Sequence, residues 1–479
     1  MRAAGARAMR WQTLATVVVQ LTQAVVTFAV AAVVGPSEFA LWGVAGILLN
    51  ARVVLSLGFG DALIYFNVRD RFRDFVDTAW VGTGLIAAAA AGLVIAFAPQ
   101  IAGLFNTGFD QDDVVIAIRV AAVAFACSTM ETIPLAIIDR GLDLRRRALT
   151  EIGSAVIYAA VAAALLAAGA GVWSIIVARA LLSVVRLVGF WAVAPTRPRT
   201  PPRPRRDVFR TLLGYGAFLS GAALLGFLAE NLDTILIGAL GSATDLGAYA
   251  LAFTVASVLP TFLSFTLHRV TTPLYAAVRD SRARLQEAFA TALHFVAVVV
   301  LPAAAAFVLV APEALTALLG GQWATAESFL RILGVYALAR AVGDTGMSLL
   351  AATGRARSSF WIRGLGLAVP LACVWPLEEA WGADGIAVAF AVGRVAVATV
   401  VLVVARGALS ARLTRLFGPA LATAGAGATG VAARAGLGDG AGDVAGLVVF
   451  AVVYPLLLLA ADPWLRQNGL DLVRGAPST

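Results

Sequence analysis

Residues 35–70 read GPSEFALWGVAGILLNARVVLSLGFGDALIYFNVRD, which is a short loop, a long apolar run and a charged return loop. Residues 241–280 follow the same plan and read GSATDLGAYALAFTVASVLPTFLSFTLHRVTTPLYAAVRD. Both stretches begin at a glycine, carry an aromatic residue early in the apolar run (Trp42, Tyr249) and end on Val-Arg-Asp. The likeness predicts two copies of one helical unit.

The composition is that of a polytopic membrane protein. Of the 479 residues, 60% are hydrophobic and 13% are charged, and the mean hydropathy is +0.88, whereas about a quarter of a soluble protein is charged. The sequence contains no lysine, which excludes a P-loop and ATP hydrolysis by this chain. The net charge of +8 does not indicate nucleic-acid binding, because the arginines lie in short loops between apolar runs. Both cysteines lie inside apolar runs, so neither a disulfide framework nor a metal cluster is expected.

Apolar runs long enough to cross a bilayer recur along the whole chain. Arginine-rich short loops stay in the cytoplasm, so the charge distribution predicts fourteen crossings of a bacterial cytoplasmic membrane, with both termini inside. The thirteenth run is the weakest, because it is Gly-rich and only mildly apolar. The predicted helices are 11–34, 40–60, 78–98, 114–138, 149–169, 172–194, 211–240, 246–268, 286–311, 327–352, 359–377, 384–405, 416–435 and 443–461.

Charged residues inside the predicted spans extend the repeat. Arg119 and Glu131 in helix four recur as Arg331 and Asp344 in helix ten, at offsets of 212 and 213 residues. Six helices per copy give both copies the same polarity, so a parallel repeat about the membrane normal is predicted, with the substrate cleft between two lobes. The predicted domains are the N-terminal lobe 1–194, an Arg/Pro cytoplasmic linker 195–210 near anionic lipid head groups, the C-terminal lobe 211–407, and a helix pair and tail 408–479.

Six short motifs, taken with their order and spacing, indicate one transporter family. They are Gly35-Pro36-x-x-Phe39, Leu57-Gly58-Phe59-Gly60-x-Ala62-Leu63-Ile64, Asn231-x-Asp233-x-x-x-Ile237-Gly238, Gly247-x-Tyr249-x-Leu251-Ala252, Leu319-Gly320-x-x-Trp323 and Ala352-x-Gly354-Arg355. In these features the chain resembles the Wzx-like oligosaccharide flippases, which are polysaccharide export proteins of the multidrug/oligosaccharidyl-lipid/polysaccharide superfamily. Family members often carry a basic residue directly after the helix-seven aspartate; here it is Thr234, so the chain departs from the family at that point.

The resemblance implies a two-lobed flippase of fourteen helices, and not an enzyme, that moves an undecaprenyl-type lipid-linked oligosaccharide by alternating access. It implies lipid-linked oligosaccharide and membrane lipid as partners, and polysaccharide polymerase or ligase proteins as further ones. No cofactor is expected beyond coupled H⁺ or Na⁺. A multidrug/cation antiporter and a lipid II flippase of the same superfamily are alternatives. A polytopic glycan-modifying enzyme is the alternative of another class, although no loop offers room for a catalytic domain.

A carrier of a lipid-linked sugar diphosphate needs cationic donors for the phosphates and polar groups for the sugars. Arginine binds phosphate bidentately, and within a bilayer it usually faces a cavity or a partner. Arg52, two residues from Asn50 in the first repeated stretch, is the main candidate for head-group phosphate; an ion pair with a neighbouring helix is the alternative. His268 and Arg269 end the second stretch, where Arg269 is equally explained as an interfacial anchor. The other polar candidates are Gln23 and Asn231.

Four acids inside predicted spans are candidates for ion coupling: Glu230, Asp233, Glu131 and Asp344. The first two, with Asn231, form the densest acidic group in any span, and they could instead bind sugar hydroxyls or pair with an arginine. Arg119 and Arg331 precede Glu131 and Asp344 by 12 and 13 residues, which is ~18–20 Å along a helix and too far for an ion pair. Each must therefore find another partner, and Arg340 is placed to pair with Asp344 at i,i+4.

Overall fold

A computed structural model of the chain describes residues 2–51, 57–66, 71–141, 143–257, 275, 281–353, 355–404, 416–438 and 440–462. Within these ranges the chain is helical and contains no strand. The helices in chain order are α1 (Arg2–Val33), α2 (Pro36–Asn50), α3 (Phe59–Tyr65), α4 (Phe72–Ala96), α5 (Ala98–Ala102), α6 (Gln111–Met130), α7 (Thr132–Arg140), α8 (Leu144–Ala167), α9 (Trp173–Val193), α10 (Arg206–Leu240), α11 (residues 243–257), α12 (Arg282–Leu309), α13 (Ala311–Leu319), α14 (Thr325–Ala352), α15 (Ala356–Val404), α16 (Phe417–Leu437) and α17 (Ala441–Ala461).

Nine segments of the described ranges are long and apolar enough to cross a membrane. One of them, Ser358–Val404, bends at Gly382 (φ 59°) and so corresponds to two predicted spans. Trp361, Trp375 and Trp381 are exposed on this helix. The prediction of an all-helical, multi-pass membrane protein is confirmed, and the count of fourteen crossings stays a prediction.

The chain forms two compact units, Met1–Ala250 and Leu251–Thr479. α10 belongs to the first unit, because Val208 and Leu212 in its first turns join a buried core with Phe59 and Phe75. The predicted boundaries assign most of this helix to the C-terminal lobe instead. The lobe boundaries therefore stay a prediction.

The stretch at 35–70 contains a turn that the apolar pattern conceals. α2 ends at Asn50, so the predicted helix 40–60 was wrong at its C-terminal end. Leu57 (φ 44°) and Gly58 (φ 59°) adopt the left-handed conformation, which glycine accepts far more readily than leucine. α10 approaches this turn so closely that a Cβ on Gly216 would lie 1.7 Å from the Leu57 carbonyl oxygen. The turn therefore ends the apolar run and fixes the position of α10.

The last two helices pack through small residues. α16 is formed by the weakest predicted span, and a Cβ on Gly430 would lie 2.9 Å from the Gly446 oxygen of α17. Small residues permit such close approach of two membrane helices. On the side predicted to be outside, Arg434 of α16 pairs with Glu313 and Asp443, both at 2.7 Å. These pairs give Arg434 a structural role at the end of α16.

The Arg/Pro segment is bound to the first unit. Asp77 of α4 is wholly buried and accepts the backbone N–H groups of Arg199 (2.8 Å) and Arg203 (3.2 Å). α10 then begins at Arg206, and Arg71 donates to Asp207 at 2.5 Å. This hydrogen bond lowers the pKa of Asp207 to about 2. The segment is therefore packed against α4, whose side chains accept its backbone donors, and its role as a cytoplasmic linker stays a prediction.

Candidate functional site

Two residues predicted to contact substrate meet in the first unit. The Asn50 side-chain amide, at the end of α2, donates to Asn231 Oδ1 of α10 at 3.1 Å. Asn231 is buried, and its own amide donates to the Phe227 carbonyl at 2.9 Å. Asn50 remains exposed. Asn231 therefore orients Asn50, whose exposed edge is available for a further hydrogen bond.

Asp233 lies two residues further along α10 and is wholly buried. The Tyr249 hydroxyl of α11 donates to Asp233 Oδ2 at 2.6 Å, and the Thr234 N–H donates to Oδ1 at 2.7 Å. A buried carboxylate is costly unless it is hydrogen-bonded, and these donors stabilise it. Glu230 lies on the same helix but is exposed, so the densest acidic group of the sequence divides into one buried and one exposed acid.

Glu131 is held in a buried ion pair. Its carboxylate lies 3.1 Å from the Arg186 guanidinium of α9, and the two side chains are 2% and 18% exposed. The predicted fourth span is broken here into α6 and α7, with Glu131 between them and Pro134 in the first turn of α7. Proline removes one helical hydrogen bond, which explains the break. Arg119 was too far along the helix to pair with Glu131, and Arg186 is the partner that Glu131 has instead. The sequence analysis missed Arg186, because nothing in the sequence except its position inside an apolar run marks it as unusual.

Asp344 lies in the second unit, on α14. The predicted i,i+4 pair is present, with Arg340 Nε 3.8 Å from Asp344 Oδ2. Arg331, the other charge of that helix, approaches Glu313 at 2.5 Å and Glu327 at 3.4 Å. The sequence-based conclusion that Arg331 and Asp344 find separate partners is therefore confirmed. The four acids proposed for coupling lie on separate helices: Glu230 and Asp233 belong to α10, Glu131 lies between α6 and α7, and Asp344 belongs to α14.

Of the remaining residues predicted to contact substrate, Gln23 lies within the described ranges. Gln23 is half-buried on α1, and its backbone carbonyl accepts the Thr27 hydroxyl at 2.8 Å. Within the described ranges its side chain makes no hydrogen bond to Asn50 or Asn231. Arg52, His268 and Arg269 lie outside those ranges, so their roles stay predictions.

The second unit contains an apolar cavity of about 540 Å³. It opens among α12, α14, α15 and α16. The hydroxyl of Thr399 at its wall is already bonded to the Val395 carbonyl at 2.8 Å. The other lining residues are Leu293, Val296, Ala297, Leu301, Leu338, Val342, Leu402, Val403, Leu416 and Ala420. Among the described lining residues Thr399 alone has a polar side chain, so the lining suits a hydrocarbon chain better than a polar ligand.

The long apolar helices with buried polar pairs define a multi-pass membrane protein, and its fold is that of transporters of the multidrug/oligosaccharidyl-lipid/polysaccharide superfamily. The structure superposes on the lipid II flippase MurJ in an inward closed conformation with a TM-score of 0.75, at 13% identity, covering 97% of this chain and 99% of that one. An inward-facing multidrug resistance transporter of the MATE family gives a TM-score of 0.68, at 16% identity, covering 85% and 99%. At these identities the likeness concerns the fold alone.

Residues 10–328 match the model of a family described as polysaccharide biosynthesis protein, and the chain belongs to that family. TuaB, a teichuronic acid biosynthesis protein of Bacillus subtilis, is 26% identical over 318 residues, which is 65% of this chain and 63% of TuaB. The succinoglycan biosynthesis transport protein ExoT of Rhizobium meliloti is 22% identical, covering 69% of this chain and 66% of ExoT. The lipopolysaccharide biosynthesis protein WzxC of Escherichia coli is 31% identical over 148 residues, or 31% of this chain and 30% of WzxC. The chain thus spans less than two thirds of the length of these relatives.

Proposed function

We propose that this protein is a flippase that translocates a lipid-linked oligosaccharide, of the undecaprenyl type, across the bacterial cytoplasmic membrane. The observation that carries the proposal is the polar group of Asn50, Asn231, Asp233 and Tyr249 on and beside a membrane-crossing helix, in a chain of the polysaccharide biosynthesis family. Polar side chains are expensive within a bilayer, and they mark substrate or ion pathways.

The substrate has three parts, and each needs a different surface. The exposed Asn50 amide suits sugar hydroxyls, because an amide both donates and accepts. The apolar cavity of the second unit suits a segment of polyprenyl tail. The diphosphate needs cations, for which Arg52 is the main candidate and His268 and Arg269 are weaker ones. Because Asn231 is engaged by two hydrogen bonds, its role in the proposal is to position Asn50.

The proposed architecture comprises fourteen crossings, two six-helix lobes related by a parallel repeat, a C-terminal helix pair, and cytoplasmic termini. Transport follows alternating access, coupled to H⁺ or Na⁺ or driven by the substrate gradient. Among the coupling candidates we favour Asp233 over Glu131, because Arg186 already neutralises Glu131. A polysaccharide polymerase or ligase that consumes the translocated lipid is the proposed partner class.

The test is reconstitution of the full chain in liposomes that contain a fluorescent lipid-linked oligosaccharide. Protein-dependent movement between leaflets, followed by access of a membrane-impermeant quencher, is expected. Asn50→Ala should slow transport at least several-fold. A matched control, Thr423→Val, removes a hydroxyl bonded locally to Pro419 in α16 and should leave the rate unchanged.

Two outcomes would overturn the proposal. One is the absence of flipping with any lipid-linked glycan while the liposomes extrude organic cations, which would indicate an antiporter. The other is transport of lipid II alone, which would indicate a peptidoglycan precursor flippase. An equal loss of transport rate in Asn50→Ala and Thr423→Val would show that Asn50 has no specific role in substrate binding. The proposal that the protein is a flippase would then depend on transport by the unmodified chain.

A further inference from the structure

The Arg/Pro segment at 195–205 is ordered by contacts to the first turns of α4. Beyond the two backbone bonds to buried Asp77, the Arg199 guanidinium lies 3.0 Å from Asp77 and 2.7 Å from Asp74. The backbone N–H of Arg205 donates to the Thr78 hydroxyl at 3.0 Å. Two arginine side chains and three backbone donors of this segment bind α4, so its conformation is fixed.

Apart from Arg197, whose guanidinium donates to the Ala192 carbonyl at 3.1 Å, the arginines of residues 195–210 divide into two sets. Arg199 and Arg205 face acids, the latter through Asp74 at 3.5 Å and Asp207 at 3.3 Å. Arg203, Arg206 and Arg210 are exposed, and among the described residues none of the three forms an ion pair. Arg206 and Arg210 are spaced i,i+4 on α10, where like charges repel. The segment and the start of α10 therefore present these three guanidinium groups outward, without an ion-pair partner among the described residues.

Aromatic residues place this charge at the membrane surface. Tyr215 of α10 stacks on Tyr65 of α3, with ring centroids 5.1 Å apart, and Tyr65 is 68% exposed. Tyrosines are enriched where hydrocarbon meets head groups. Arg210 precedes Tyr215 by five residues, which is ~7.5 Å along the helix and within the thickness of a head-group layer.

We propose that Arg203, Arg206 and Arg210 form an ordered docking surface for anionic phospholipid head groups of the adjoining leaflet, and that Asp77 holds the segment in its binding conformation. The guanidinium fork matches phosphate oxygens, and basic residues beside a membrane span attract anionic lipid. This inference is independent of the glycan, since it concerns the structural lipid around the protein. Nucleic acid is disfavoured as the partner because the surface adjoins the membrane interface.

The first test compares two variants with the same change in charge. The full chain in neutral detergent is titrated with phosphatidylglycerol or phosphatidylcholine, and bound lipid is counted by native mass spectrometry. R203Q/R206Q/R210Q should weaken phosphatidylglycerol binding by roughly fivefold per arginine, or about 100-fold together. R284Q/R355Q/R363Q removes three exposed arginines of the second unit and should change it little.

Equal weakening in the two triple variants would overturn the inference, because a diffuse positive charge would then explain the binding. Equal affinity of the unmodified chain for phosphatidylcholine would overturn it as well. The inference would also be overturned if R203Q/R206Q/R210Q lost the binding of a single-stranded RNA but still bound phosphatidylglycerol.

The second test separates an ordered site from simple charge attraction by the sign of the effect. Asp77→Asn makes the surface more positive, so charge alone predicts tighter binding of phosphatidylglycerol. The ordered surface predicts binding that is weaker by severalfold, since an amide nitrogen then opposes the backbone donors. Asp143→Asn removes an exposed acid that pairs with Arg146 and should not weaken binding. Tighter binding in both variants would overturn the role of Asp77, and if Asp77→Asn does not fold, the triple variants decide.

Discussion

Removal of either partner of the Glu131–Arg186 pair should destabilise the protein unequally. Breaking a buried ion pair costs about 3–5 kcal/mol, because the remaining charge keeps its desolvation penalty. Glu131 is 2% exposed and Arg186 is 18% exposed. Arg186→Met leaves the more buried charge behind and should cost ~5 kcal/mol, whereas Glu131→Gln should cost ~3 kcal/mol. Arg186 also lies 5.5 Å from the Phe190 ring centre, a cation–π contact that survives the loss of Glu131.

The double variant Glu131→Gln/Arg186→Met leaves no unpaired charge, and it should recover most of the loss, because buried pairs are often replaceable by neutral side chains. The assay is thermal unfolding in one detergent at one scan rate, with the order of the midpoints as the readout. Arg146→Met provides the control, since it breaks an exposed pair with Asp143 and should cost less than ~1 kcal/mol. The reasoning would be refuted if the single variants had the same unfolding midpoint as the wild type. It would also be refuted if the midpoint of the double variant were lower than those of both single variants.

The same variants test what Glu131 does in transport. Under the proposed function, if the acid has only a structural role, the folded double variant should flip lipid-linked glycan at a rate near that of the wild type and with whatever dependence on the proton gradient the wild type shows. Loss of that dependence in a stable double variant would return Glu131 to the coupling candidates.

Three further predictions concern single residues of the first unit. Gly216→Ala should destabilise the protein by several kcal/mol, because the new Cβ would clash with a backbone oxygen. Gly214→Ala has open space around it and should be neutral or stabilise by ~0.5–1 kcal/mol, and thermal unfolding of both variants distinguishes the two effects. The lowered pKa of Asp207, about 2, means that its contribution to stability is present above the ordinary pKa of a carboxyl and is lost as pH falls through about 2; Asp207→Asn should therefore flatten the melting profile from pH 4 to 2. Tyr249→Phe removes a donor from buried Asp233 and should cost ~1.5–3 kcal/mol, and an unchanged midpoint would contradict that hydrogen bond.

The sequence predicted the helices well where an apolar run coincides with one helix. It failed where a local backbone conformation interrupts a run, because hydropathy does not register a left-handed Leu57-Gly58 turn or the break before Pro134. The thirteenth helix was uncertain because small residues lower hydropathy, yet those same residues let it pack closely on α17.

The candidate site was predictable only in part. The Arg340–Asp344 pair follows from helical spacing and is present. Partners such as Arg186 for Glu131 join residues far apart in the chain, so no local pattern indicates them. The same holds for Asp77, an acid near a span end in the sequence that becomes a buried acceptor only when the Arg/Pro segment folds over it.

The way in which the Arg/Pro segment is held has a consequence for its tolerance of mutation. Asp77 and Thr78 accept main-chain N–H groups, which every residue except proline supplies. Most side chains at Arg203 should therefore leave the segment in place, while a proline at Arg199, Arg203 or Arg205 should release it. Arg199 should be less tolerant, because its guanidinium also neutralises buried Asp77, and Asp77 itself should accept almost no replacement.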